Sequence, residues 1–511
     1  MKVVTADEMR DLDQKSIREF GIASSLLMER AGVSVVLAME NSLTNMERMS
    51  FVVLCGGGNN GGDGLVVARE LLEYTDEVTT VLVAGEEKFS QDAQINLRRL
   101  RSVGGTIRVL GKDIDMNELA RVVRKSDVVV DALLGTGIKG DVKDEIGKVI
   151  QIVNLYAKYV VSVDLPSGLD TDTGKPQGIA IKADMTVTFA FPKMCHVLFP
   201  GRELTGKLKV AHIGIPRSLK QMTNIKREIV TEAYVRAHMP PRHKNSHKGD
   251  YGKLVVVGGS KNYMGAPILT CLGALRAGVG YVQLVTPRPI NLAAISVEPS
   301  IVCAGVDTED GYFKAEHAEQ VCKIIETADV VAIGPGLSWN GDTTEFVRQV
   351  LVKSDKPFVI DADALNCISS DIEILKNLSS KAILTPHPGE LARLTKKNIS
   401  EVIYNYRLAE KLAFEYNLIV LLKGASSIIA SPRSTYINLT GNTSLSKAGS
   451  GDILTGIIGA FIAQGMDLES SCVCAAYIHG LTGERFENWE GSALATDLIN
   501  KIPVVIEEVA E

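Results

Sequence analysis

No two of the eight cysteines stand in a Cys-x-x-Cys spacing, and they are scattered through apolar segments. That argues against structural zinc and against a disulfide framework. Cys472 and Cys474 fall in a stretch that reads as a buried helix, where small thiols pack as core. Long apolar runs are missing too. The longest, Ile453 to Ala463, is too short to span a bilayer, and Met1 to Phe20 is charged and helical in pattern with no apolar leader. A soluble, cytoplasmic protein without a membrane partner is expected. Nor is there an excess of positive charge. Lys and Arg number 55 against 61 Asp and Glu, a net charge of -6, which excludes a general nucleic-acid binder. No short-period repeat or low-complexity tract interrupts the chain.

What the 511 residues do carry is alternation. Short β-rich apolar runs separated by helical stretches occupy Phe51 to Cys55, Glu77 to Val83, Thr106 to Val109, Val128 to Ala132, Tyr159 to Val163 and Met185 to Phe189. A second series runs through Leu254 to Val257, Tyr281 to Val285, Val330 to Ile333, Phe358 to Ile360, Ala382 to Leu384 and Leu418 to Leu422. Each series predicts an α/β domain with a mainly parallel sheet, whose ligands bind at the carboxyl ends of the strands. Glycine and proline end the first series at Gly214 to Pro216, and polar residues 217–229 read as a linker.

The run GGGNNGGDG, Gly56 to Gly64, follows the first strand and precedes a predicted helix, Leu65 to Glu73. Glycines there let backbone N–H groups approach a ligand at a helix start. Gly56, Gly58 and Gly61 satisfy the dinucleotide spacing G-x-G-x-x-G, but no Gly-Lys-Ser/Thr end follows, so this is not a Walker A loop. Two further loops after strands are rich in polar groups: DALLGTGIKGD (Asp131 to Asp141) and VDLPSGLD (Val163 to Asp170). Strand ends converge on one edge, so oxygens of Asn60, Asp131 and Ser167 could hold a hard cation and Lys139 could meet a phosphate. The competing reading has the glycines making turns and the aspartates capping helices.

Late in the chain, KAGSGDILTGIIGAFIAQG (Lys447 to Gly465) places Gly449 to Gly451 at the start of a long apolar helix, with Asp452 in its first turn. Unpaired N–H groups there point at an anion, and a carboxylate beside them can accept a hydroxyl proton while charge develops on a phosphoryl group. VLLKGASSII (Val420 to Ile429) ends a strand with Lys423 and a small-residue turn suited to a nucleotide. Asn442 is a candidate ligand or metal-water contact. IGPGL, IDADALN and LTPHPGEL follow other strands, and His387 in the last is pinned between two prolines.

The first set, with TADEMRDLDQKSI (Thr5 to Ile17) and LMERAG (Leu27 to Gly32), resembles the YjeF N-terminal domain family, epimerases of hydrated NADH and NADPH. The resemblance implies a Rossmann-like three-layer sandwich over residues 1–216. It places the hydrated dinucleotide on Asn59, Asn60, Gly61, Gly62 and Asp63 and on Gly135, Thr136, Gly137, Ile138, Lys139, Gly140 and Asp141. Potassium falls to Asn60, Asp131 and Ser167, and Asp164 becomes a substrate-contacting, catalytic acid. The second set, with HKGDYGKLVVVGGS (His247 to Ser260) and YMGAPIL, resembles the ribokinase-like NAD(P)H-hydrate dehydratases over residues 230–511. By that resemblance Lys423, Gly424, Ala425, Ser426, Ser427 and Gly451 bind ADP or ATP with Mg2+, and Ala266, Gly336, His387 and Asp452 bind the hydrate, Asp452 being the base.

Together these imply an α/β protein of two domains that repairs hydrated NADH and NADPH by epimerising the R and S hydrates and dehydrating the S form through phosphorylation and phosphate loss. A homo-oligomer, tetramer or larger, is expected. A ribokinase-like small-molecule kinase with a non-catalytic N-terminal binding module is the alternative. A dehydrogenase is disfavoured, because no hydride-acceptor site or catalytic His accompanies the glycine loop.

Overall fold

The computed structural model describes residues 1–138, 140–142, 144–222 and 224–510. The chain divides into two compact units, Lys2–Ile225 and one that runs from Lys226 to the end of the described chain. In the first, β1 (Phe51–Cys55), β2 (Val78–Leu82), β3 (Thr106–Val109), β4 (Val128–Ala132), β5 (Val160–Val163), β6 (Met185–Phe189) and β7 (Lys207–Ala211) form a sheet in the order β3-β2-β1-β4-β5-β6-β7. Every neighbouring pair in that sheet is parallel. Its central strands are buried on both faces, which explains their nearly continuous Val, Leu and Ile content. Phe51, Val53, Cys55, Val128, Val130 and Ala132 enter one core cluster, and Val52, Leu54 and Val129 enter the other, as two-residue alternation requires.

Strand order reverses between β1 and β4, so the loops leaving their carboxyl ends diverge and open a crevice. The helix after β1 spans Asn59–Leu71 and so begins well before the expected Leu65. Its first turn is closed by a hydrogen bond from Gly62 N to Gly58 O of 3.2 Å. Asn59 and Asn60 are thereby first-turn residues of the helix and Asp63 lies one turn further in, so none of the three is a loop residue. Gly56 and Gly61 make this possible: a Cβ on Gly56 would lie 1.8 Å from Leu133 O, and one on Gly61 would lie 1.8 Å from Gly56 O.

In the second unit, β8 (Arg227–Ile229), β9 (Lys253–Val257), β10 (Tyr281–Pro287), β11 (Val302–Val306), β12 (Val330–Ile333), β13 (Phe358–Ile360), β14 (Ala382–Leu384), β15 (Ile419–Leu422), β16 (Ser427–Ala430) and β17 (Thr435–Asn438) lie in the order β8-β17-β16-β15-β14-β13-β12-β9-β10-β11. β15, β16 and β17 form antiparallel hairpins and the remaining neighbours are parallel. Residues 217–229, read as a linker, hold the helix Arg217–Met222 and strand β8. The apolar Ser450–Ala463 helix is buried nearly all round, as such a composition demands, and lies against Gly265–Arg276. A Cβ on Gly456 would meet Thr270 O at 2.0 Å, so the two backbones touch. Cys472 and Cys474 are fully buried in Leu468–Glu484, as expected. Among the described residues no helix is long and apolar enough to cross a membrane.

Candidate functional sites

The crevice at the β1/β4 reversal is a cavity of about 540 Å³. Asn59, Asn60, Asp63, Gly135, Thr136, Gly137, Ile138 and Asp164 all line it. Gly61 and Gly62 face the protein instead, where added carbons would strike Gly56 O and the Met28 side chain. Gly140 takes a left-handed φ of 80° and Asp141 is exposed, while Lys139 lies outside the described residues. Behind the cavity, Asp131 is fully buried on β4 beside Ser162 of β5. Ser162 Oγ donates to it at 2.7 Å, Ser167 N at 2.9 Å, Ser167 Oγ at 2.5 Å and Leu133 N at 3.3 Å. Burial pushes its carboxyl up, against those four donors. Ser167 Oγ in turn accepts from Leu134 N at 2.9 Å, and Asn60 Nδ2 donates to Leu134 O at 3.0 Å. Asn60, Asp131 and Ser167 thus converge on one backbone segment.

Asp164 follows β5 with a φ of 67°, a strained conformation for a residue with a side chain. Its Oδ1 accepts from Thr188 Oγ1 at 3.0 Å, from Phe189 N at 3.3 Å and from Lys193 Nζ. Lys193 is itself fully buried and also donates to Thr188 Oγ1 at 2.8 Å. Burial would raise the Asp164 carboxyl, but the Lys193 ammonium outweighs it and holds the group below the ordinary carboxylate range. Lys193 and Asp13, which also lines the cavity, were not singled out from sequence. Lys193 obeys the rule that located the other loops, a polar group just past the end of a buried strand. Asp13 gave no such signal, because on an amphipathic helix, Ala6–Arg18, a carboxylate reads as solvent-facing.

In the second unit, Asp452 sits in the first turn of Ser450–Ala463, behind Gly449 at a left-handed φ of 91°. Asp361, just past β13, is buried and pairs with Lys423 Nζ at 2.8 Å while accepting from Thr455 Oγ1 at 2.7 Å. A Cβ on Gly451 would lie 3.3 Å from Lys423 Nζ, so that ammonium faces the helix start. Burial and then the Asp361 charge push the Asp452 carboxyl up to about 8, with Lys423 opposing. Asp452 has no hydrogen-bond partner among the described residues. In the sequence Asp361 is one residue of IDADALN with nothing local to mark it, and the structure makes it the group that fixes Lys423.

Gly424, Ala425 and Ser426 form the β15–β16 turn and Ser427 opens β16, and Lys423 N donates to Pro386 O at 2.9 Å, tying that turn to the TPHP loop. There His387 caps Pro388–Thr395: its Nδ1 accepts from Gly389 N at 3.0 Å, and its own N donates to Glu390 Oε2 at 2.8 Å. The proton therefore resides on Nε2, which faces Glu390 Oε1 at 3.4 Å, and half of the ring is exposed. Burial pushes Glu390 up to about 7. Gly336, at a φ of 69°, lies against Tyr263 and Ala266: a Cβ there would be 2.5 Å from Tyr263 O and 3.4 Å from the Ala266 Cβ. Asn442 is spent structurally. Its Oδ1 accepts from Ser444 N at 3.2 Å and from Ser444 Oγ, capping the turn Thr443–Leu445.

Two family models match the chain, one described as YjeF-related protein N-terminus over residues 24–195 and one as NAD(P)H-hydrate dehydratase over residues 254–504. A Moorella thermoacetica protein named bifunctional NAD(P)H-hydrate repair enzyme Nnr is 38% identical over 517 residues, covering 100% of this chain and 98% of that protein. Its namesake in Thermofilum pendens is 36% identical over 516 residues, covering 100% and 97%. Among solved structures, a ribokinase-like superfamily protein of Enterococcus faecalis aligns at a TM-score of 0.50 and 22% identity over 56% of this chain and 96% of that one, a likeness of fold.

Proposed function

Because the chain belongs to the bifunctional NAD(P)H-hydrate repair enzymes, we propose which of its residues carry out each half of the repair. The enzyme epimerises the R and S hydrates and dehydrates the S form with ADP or ATP. We assign the first activity to residues 1–216 and the second to residues 230–511. The observation that carries the second assignment is the unpartnered Asp452 carboxyl at a helix start that Lys423 also faces. Asp452 takes the proton of the substrate hydroxyl, and the oxygen attacks the terminal phosphoryl group as its bond to the nucleotide breaks. N–H groups at Gly451 and the Lys423 ammonium meet the charge that develops. The phosphorylated oxygen then departs as phosphate, driven by the ring-nitrogen lone pair, and loss of a neighbouring C–H proton restores the ring. The turn Gly424 to Ser427 lies beside the nucleotide, and Ala266, Gly336 and His387 Nε2 contact the hydrate.

Asp361 is engaged by Lys423, Asp363 accepts from Ser338 N at 2.9 Å and Glu390 from His387 N, so Mg2+ is assigned to the nucleotide's own phosphates, whose charge it neutralises. In the first unit the oxygen-only donor set suits an alkali cation. Asn60 Oδ1 accepts no hydrogen bond among the described residues, and Asp131 supplies negative charge behind it. Potassium held by Asn60, Asp131 and Ser167 would fix the loop that carries Gly135 to Ile138. The test is an absorbance assay on mixed NADPH hydrate epimers with ADP, with ATP and with neither. Recovery of both epimers, dependent on nucleotide, is expected. A stable phosphorylated product with no rise in reduced-nicotinamide absorbance would replace this reading with a small-molecule kinase.

A further inference from the structure

Four carboxyl groups line the cavity of the first unit, Asp13, Asp63, Asp92 and Asp164, and among the described residues only Asp164 is engaged by a side-chain hydrogen bond or ion pair. Asp164 is held by Lys193, Thr188 and Phe189 N. Asp13, on Ala6–Arg18, and Asp63, on Asn59–Leu71, have no hydrogen bond or ion pair among the described residues, although both are partly buried. A carboxyl withdrawn from water without a donor is costly, and an enzyme retains one where a ligand completes it. We propose that Asp13 and Asp63 are the proton-exchanging pair of the epimerase, one protonated and one ionised in each turnover, with Asp164, itself held by Lys193, positioning the substrate between them. This rests on the assignment of epimerisation to the first unit.

The chemistry requires two such groups. The reacting carbon bears a hydroxyl and adjoins the ring nitrogen. One carboxyl delivers its proton to that hydroxyl, the C–O bond breaks, and the nitrogen lone pair forms the C=N bond, releasing water. Water adds to the other face of the cationic ring, the C=N pair returns to nitrogen, and the other carboxyl takes the surplus proton. The sum is inversion with no net change in atoms or charge, and the proton's return between the two carboxyls through solvent resets the pair for the next turnover. The electrostatics support it. Burial and then the Asp164 and Asp13 charges push Asp63 well above the carboxylate range, while burial and the Asp164 charge push Asp13 up to about 6; Lys193 opposes both. Arg10 and Asp92 are the other charged groups lining the cavity, and Arg10 is paired with Asp7 at 2.6 Å. The singly protonated pair therefore exists above about pH 6.

The test follows both epimers chromatographically in the full-length enzyme. Wild type should epimerise with an acid limb near pH 6. Asp13→Asn and Asp63→Asn should each lose roughly 10²-fold or more in kcat with little change in KM. Asp13→Asn should also lose the acid limb, and dehydration of pure S hydrate should be unchanged in both. Asp13→Glu, which keeps a carboxyl, should recover part of the rate and restore an acid limb, which a merely structural role for Asp13 would not produce. A folded Asp13→Asn enzyme with more than a third of the wild-type rate and an unaltered limb overturns the pair. If either Asn variant does not fold, Asp13→Glu decides: a reduced rate with an acid limb displaced from that of wild type is expected, and the full wild-type rate with an undisplaced limb overturns the pair. Wild type that dehydrates but never epimerises overturns instead the assignment on which the pair rests.

Discussion

Asp452→Asn should do two opposite things, and the structure sets the size of each. With the carboxyl pushed up to about 8, about one group in a hundred is ionised at pH 6, about one in eleven at pH 7 and about half at pH 8. Because the base acts only when ionised, dehydration of S hydrate under subsaturating conditions should rise about ninefold from pH 6 to 7 and about fivefold from 7 to 8. The amide variant should lose roughly 10²-fold or more and respond little to pH across that range. Stability should move the other way. The folded-state pKa lies above the unfolded value, so the folded chain binds this proton more tightly, and its stability falls as pH rises from about 4 to about 8. Roughly 1.4 kcal/mol per pKa unit sets an upper limit near 6 kcal/mol, and solvent contact of this partly exposed group reduces it to on the order of 2 kcal/mol. Scanning calorimetry of the variant at pH 8 should therefore show the second unit melting about 3 °C higher, with no difference at pH 4. A variant that dehydrates near normally, or a wild-type rate that is flat from pH 6 to 8, would remove Asp452 from the role of base.

Asp131→Ala should strip the buried Ser162 and Ser167 donors of their acceptor, at about 1–3 kcal/mol for each group left unsatisfied. Epimerisation should fall and lose any potassium dependence while dehydration of pure S hydrate persists, and potassium titrations that match wild type would count against the cation site. Gly451→Val would place its Cβ 3.3 Å from Lys423 Nζ, crowding the phosphate approach. Calorimetry should show ADP and ATP binding at least tenfold weaker, an outcome of about 1.4 kcal/mol. Unchanged affinity in a folded variant would move the phosphates away from this helix start.

The strands that position both sites were legible because burial on both faces leaves continuous apolar runs. The strands that escaped, β7, β8, β11, β16 and β17, are short or edge-placed, with mixed burial. The start of the Asn59–Leu71 helix was hidden by its glycines, whose low helix propensity is overridden because the packing there leaves no room for a side chain: a Cβ would strike Gly56 O at Gly61, Met28 at Gly62 and Ala132 at Gly64. Lys423 and Asp452 could each be named from local pattern. Their junction through Asp361 could not, since Asp361 meets Lys423 across 62 residues and Thr455 across 94, a relation of tertiary packing alone. Asn442 shows the opposite error, a polar residue between two motifs that the fold uses as a cap.

Gly56 and Gly61 touch no reacting atom, yet neither position has room for a single methyl group. In a library of all single substitutions selected for epimerase output, both columns would empty as thoroughly as that of Asp164. Intolerance alone would rank spacers among the residues that hold substrate. Scoring the same library for protein abundance separates them, because the glycine variants vanish from the soluble pool whereas Asp164 variants accumulate without turning over.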